Sequence, residues 1–182
     1  MSQGPILRRG FTNPPLVATL PTNPADGDEC YYLADATNGV IWHLRYRSGA
    51  SIYKWEVLGG SPLRGSAAMS LAITTTYSGT APVLTLPLAG DYDLTSGGAG
   101  AGGGASIYMG IGFALGAAAV DGNYATSIAP PASGLGLSFP DLTRRKTGIT
   151  AGTVMTGKAA ILVSGTGTIN NISLAAMPVR VG

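Results

Sequence analysis

The chain has 182 residues, with 45% hydrophobic, 28 glycines, 12 prolines and only 11% charged side chains. That is enough apolar content for one large or two small domains, and too little Lys and Glu for a helical bundle or a charged disordered chain. A formal charge of +2 gives nucleic-acid binding no electrostatic basis, and the single cysteine excludes an intrachain disulfide.

Residues 1–25 contain Pro5, Pro14, Pro15, Pro21 and Pro24. Proline at this density blocks a helix and holds the chain extended. Leu16, Val17 and Leu20 stand among them, which reads as an anchoring arm that buries these aliphatics on a neighbouring subunit. No apolar run of signal-peptide length follows Arg8-Arg9.

Residues 26–60 read as a small antiparallel three-stranded β-meander: Glu29 to Ala34, Val40 to Arg47 and Ile52 to Leu58. Asn38-Gly39 predicts a two-residue hairpin turn with positive φ at both positions. Val40, Trp42, Leu44 and Tyr46 alternate with Ile41, His43, Arg45 and Arg47, so one face is buried and the other wet. Tyr53, Trp55 and Val57 continue the buried face, and Trp42 is expected to meet Trp55 across the ladder. The predicted core is therefore Trp42, Leu44, Tyr46, Tyr53, Trp55 and Val57. Cys30 is expected to be a small semi-buried side chain.

Residues 61–66 read as a linker, because the composition changes after them: tryptophan disappears and alanine and glycine rise. Residues 67–182 then read as a C-terminal β-sandwich of about seven or eight short strands. Met69 to Thr76 and Pro82 to Leu88 alternate as strands, the latter an edge strand or bulged because of Pro87. Ser96 to Gly104 is expected to be a flexible glycine loop, and Ala105 to Val120 a buried strand that is too short and glycine-rich to cross a membrane. Asp121 to Pro140 reads as loop, and Lys158 to Ser164 and Thr168 to Val181 as the last strands.

Candidate chemistry is sparse. Gly152 to Lys158 approaches a phosphate-binding loop, but Ala159 stands where Ser or Thr would hold magnesium and a strand follows instead of a helix. His43 is the only histidine and shares a face with arginines, so neither a metal centre nor a catalytic pair is expected. Asp91 and Asp93 share a strand face; exposed polar residues are a simpler reading of them than a calcium site or half of a glycosidase pair. No catalytic residue, metal or cofactor is assigned. The aromatic-poor body after residue 66 and the uncharged span Leu94 to Val120 predict a homo-oligomer, with Tyr108, Ile111, Phe113 and Leu115 at the interface.

The stretch PTNPADGDECYYLADATNGVIWHLRYRSGASIYKWEVLGGSPL, Pro21 to Leu63, resembles a module of tail and other virion proteins of tailed bacteriophages and prophages. Its marks are the proline-led entry, DG-x-E, G-x-x-W-x-L-R-Y and K-W-E-x-x-GG. Further on, LPLAGDYDLT, ITAGT and PVRVG are similar to segments of small virion jelly rolls. The resemblance implies a non-enzymatic structural protein made in the bacterial cytoplasm and carried in the virion. It implies a minor-tail or fibre-like part touching other virion proteins, with a jelly-roll-like body, often trimeric, and with a host-surface glycan as a further partner. A capsid decoration or head fibre is the nearest alternative. A stand-alone carbohydrate-binding module is the other, and it requires Trp42 and Trp55 to be exposed.

Overall fold

The computed structural model describes residues 13–68, 76–102, 109–120, 125–128, 136–161 and 167–182. In chain order its strands are β1 (Leu16–Val17), β2 (Glu29–Asp35), β3 (Val40–Tyr46), β4 (Trp55–Gly60), β5 (Leu63–Ala68) and β6 (Val83–Thr85). There follow β7 (Gly90–Gly102), β8 (Met109–Leu115), β9 (Ala125–Ile128), β10 (Gly136–Ile149), β11 (Val154–Ile161) and β12 (Gly167–Val181). The chain is all-β, as composition and alternation require.

The strands form two sheets. The larger has eight strands, in the order β1-β2-β3-β4-β12-β7-β10 with β5 also on β12; the smaller has four, in the order β6-β11-β8-β9. They pack face to face into a sandwich. Phe113, Ile111 and Met155 from the small sheet share one core with Tyr92, Leu94, Ile172, Leu174, Trp42 and Leu44 from the large one.

β12 joins the two halves of the sequence. Along one edge it pairs with β7 from Gly167 to Val181. Along the other it takes β5 opposite Asn171–Ala176 and then β4 opposite Arg180 and Val181. β4 and β5 thus run past the same strand one after the other, and the stretch 61–66 is mostly a β-strand in register, not a linker. Pro178 falls where the neighbour on this edge changes from β5 to β4 and beside a register shift against β7, the kind of irregular position where a strand tolerates proline. The meander and the C-terminal strands form one continuous sheet.

The glycine-rich stretch after Ser96 is strand as far as Gly102, paired on both sides by β10 and β12. Low side-chain bulk suits a crowded layer as well as a flexible loop. A Cβ at Gly98 would strike the Asn171 carbonyl oxygen and come within 2.8 Å of the Ile111 Cδ1. Gly98→Val is therefore expected to destabilise the fold by about 1–3 kcal/mol or more through overpacking. Urea unfolding measures this, and an unchanged midpoint would contradict the close approach.

Other local expectations change in similar ways. β9 and β10 occupy all of the described part of 121–140, which read as loop. Most of the predicted strand Met69 to Thr76 lies outside the described residues. Asp35 and Val40 pair across a four-residue turn in which only Gly39 has positive φ, at 66°, so the two-residue turn is not formed. The Asp35 carboxylate accepts hydrogen bonds from the Thr37 and Asn38 amides at 2.9 and 3.1 Å and from Asn38 Nδ2 at 2.7 Å. That side-chain bracket holds the turn without a left-handed asparagine.

Candidate functional site

The arm is the first feature to place. β1 pairs in parallel with β2, Leu16 opposite Tyr31 and Val17 opposite Tyr32, and the Tyr31 amide donates to the Pro15 carbonyl at 2.8 Å. Val17 and Leu20 pack against the chain's own core, while Leu16 is 59% exposed. The expectation that all three bury on a neighbour is thus corrected. This proline-spaced segment covers the edge of its own sheet, leaving Leu16 outward.

On the inner face of the meander, Trp42 and Leu44 are fully buried and Trp55 is 3% exposed. Tyr46 and Val57 are partly buried against the same core. Trp42 and Trp55 do not meet, because Trp42 sits opposite Gly60 and Trp55 opposite Tyr46. Trp42 instead stacks on Tyr32 and meets Tyr92 edge-on, with centroids 6.0 and 6.2 Å apart; its Nε1 donates to the Ser61 carbonyl at 3.0 Å. The Tyr46 and Trp55 rings meet edge-on at 5.4 Å. Tyr53 lies before β4, in the 47–54 loop, and is half-buried rather than a core residue. Cys30 is fully buried, and loss of solvent pushes its thiol up to about 12.

The outer face of the meander carries two arginine–carboxylate ion pairs and a histidine–carboxylate contact. Glu29 receives His43 Nε2 at 2.8 Å and Arg45 Nη2 at 2.7 Å, and Arg47 reaches Glu56 at 2.9 Å. The Tyr31 ring lies 4.7 Å from the His43 ring. Hydrogen bonding to Arg45, ahead of the His43 contribution, holds the Glu29 carboxyl below its usual range; Arg47 does the same for Glu56. A carboxylate with a depressed folded-state pKa stabilises the fold above its unfolded value and loses that contribution as pH falls. The urea midpoint is therefore expected to hold from neutrality to about pH 5 and to fall below about pH 4, with Glu29→Gln reducing part of that fall. A midpoint that ignores acid, or a Glu29→Gln profile identical to the parent, would contradict this.

The candidate chemical residues are engaged structurally. Asp93 takes Arg145 in a two-toothed pair at 2.6 and 2.8 Å, which holds its carboxyl below the usual range. Asp91 accepts the Gly148 amide at 3.0 Å. Lys158 Nζ donates to the Gly79 carbonyl at 2.8 Å from within β11, so the phosphate-loop-like stretch is a turn and a strand. No grouping of three metal-ligating side chains occurs among the described residues.

The expected oligomer interface is also corrected. Ile111 is 1% exposed and Phe113 is fully buried, both inside this chain's own core, and Leu115 packs against that core. Tyr108 lies outside the described residues. Within that span β8 lacks charge because Met109 to Ala114 are buried in the core it shares with the larger sheet. Any homotrimer must be made through surfaces other than Ile111 and Phe113.

Two neighbouring concave surfaces among the described residues were not found by sequence reasoning. A cleft of about 320 Å³ is lined by Ile52 and Tyr53 from the 47–54 loop, Asp91 of β7, Thr147 and Gly148 of β10 and Arg180 of β12. A second hollow, of about 530 Å³, includes Asp26, Arg47 and Ser48 and shares Arg180 with the first. Arg180 stands cross-strand from Glu56 on one side and Asp91 on the other. Glu56 is bonded to Arg47 and Asp91 to Gly148, so among the described residues neither acid forms a salt bridge with Arg180. A shift in register between Pro178 and Arg180 marks a bulge in β12 beside the cleft, the kind of irregularity that re-aims a side chain. The residues come from segments far apart in sequence, so no spacing announced them. No family model matches the chain, and no curated protein matches it.

Proposed function

We propose that this chain is a non-enzymatic structural protein of a tailed-phage virion, attached through its N-terminal region and displaying the two-sheet body at the particle surface. The reading places it in a tail fibre or tail tip, with capsid decoration as the alternative mount. It rests on the resemblance of Pro21 to Leu63 to virion modules. The observation that carries it against its main competitor is the burial of both tryptophans. A carbohydrate-binding module built on Trp42 and Trp55 needs those rings in solvent, and they are used instead to join the meander to the rest of the sandwich. The outward-facing Leu16, on the terminal strand of the large sheet, supplies an apolar contact beside the proposed attachment region.

The test is to purify particles from a host that carries this sequence and to analyse them by mass spectrometry and antibody-labelled electron microscopy. The protein is expected in the particle fraction, with label at the tail or on the capsid surface, and the position of the label separates the two mounts. Expression of the protein in producing cells with none in purified particles would overturn the proposal.

A further inference from the structure

We propose that the cleft around Arg180 binds an acidic saccharide, a sugar ring that carries a carboxylate. This goes beyond the virion reading and stands whether or not the chain is found in a particle.

The chemistry begins with Arg180. Its guanidinium is exposed and, among the described residues, forms no salt bridge; Glu56 across the strand is bonded to Arg47 and feels the Arg180 charge only through space, and Asp91 flanks it on the other side. A planar fork of five donors matches a carboxylate in two-toothed geometry better than it matches a spherical ion. Asp91 refines the choice. One of its oxygens accepts from Gly148, which leaves the other to accept from a ligand. Its negative charge beside Arg180 disfavours a doubly charged phosphate and favours a singly charged group surrounded by hydroxyl donors. Thr147 adds a hydroxyl to the lining, and the half-buried Tyr53 with Ile52, 72% exposed, supplies the apolar surface that the C–H face of a sugar ring covers.

Size agrees with this class. A volume of about 320 Å³ is at the small end of ligand cavities. That suits one or two rings, and the neighbouring hollow, sharing Arg180, gives a longer oligosaccharide somewhere to continue. This platform is separate from the buried tryptophans and relies on charge as much as on ring contact.

The experiment is a titration of the full chain, followed by heteronuclear NMR, with four probes: a glucuronic-acid disaccharide, the methyl ester of that disaccharide, N-acetylneuraminic acid and hexaglutamate. At least one of the two acidic saccharides is expected to shift resonances of Tyr53, Thr147, Gly148 and Arg180 at millimolar concentration or below. The ester and the peptide are expected to bind at least about tenfold more weakly, and Arg180→Ala to weaken the saccharide by about tenfold or more, the loss of a charged hydrogen-bonding partner. Arg180→Lys, which keeps the charge and loses the fork, is expected to fall between the two. Thermal melts of both variants report folding, which the exposure of Arg180 should leave unchanged. The proposal is overturned if neither acidic saccharide shifts these resonances, if the ester or hexaglutamate binds as well, or if folded Arg180→Ala binds like the parent.

Discussion

Replacing Trp42 with alanine is expected to destabilise the chain by about 3–5 kcal/mol, the cost of emptying a large buried aromatic site. The indole is fully buried, stacked on Tyr32 and edge-on to Tyr92, and its Nε1 holds the Ser61 carbonyl at 3.0 Å. Alanine removes all of this at once, leaving a cavity between β3 and β7 and one carbonyl without its donor. Trp42→Phe keeps most of the apolar surface and loses the hydrogen bond, so it should cost less, about 1–3 kcal/mol. Urea unfolding followed by circular dichroism gives both values. A loss under about 1 kcal/mol for the alanine variant would be out of keeping with so buried a ring.

The second large effect is Phe113→Ala, also expected at about 3–5 kcal/mol. Phe113 is fully buried in the middle of β8, opposite Gly157 of β11. If the uncharged span were an intersubunit surface, truncating Phe113 would shift the oligomeric state and leave a monomer's stability nearly untouched. The buried position predicts the reverse: a lower urea midpoint, with no change in sedimentation under native conditions. A changed sedimentation coefficient at an unchanged midpoint would contradict the assignment of Phe113 to the chain's own core.

The parts legible in the sequence were those where one strand face is buried and the other wet. Val40, Trp42 and Leu44 alternate with Ile41, His43 and Arg45, and the burial follows that alternation. Asn38-Gly39 marked the turn, but Asp35 changed its type, because a side-chain acceptor competes with the backbone. The glycine run in β7 was illegible for a physical reason. Glycine serves both a loop that must bend and a strand whose neighbours come too close for a Cβ, and only the identity of those neighbours decides. The boundary at 61–66 failed likewise, since a shift in composition does not show which distant strand the segment pairs with. Arg180 was invisible as a site residue because its surroundings arrive from β7, β10 and the 47–54 loop.

The central structural claim is that the aromatic meander and the C-terminal strands form one body, joined through β12 and by the contact of Trp42 with Tyr92. Both tryptophans lie in the meander, so their fluorescence reports that region alone, while far-ultraviolet circular dichroism reports strands throughout. Equilibrium urea unfolding followed by both signals on the same sample tests the claim directly. One body predicts coincident transitions with a single midpoint and slope. Tryptophan fluorescence that changes at a urea concentration clearly different from the circular dichroism would contradict it, showing that the meander unfolds as a unit of its own.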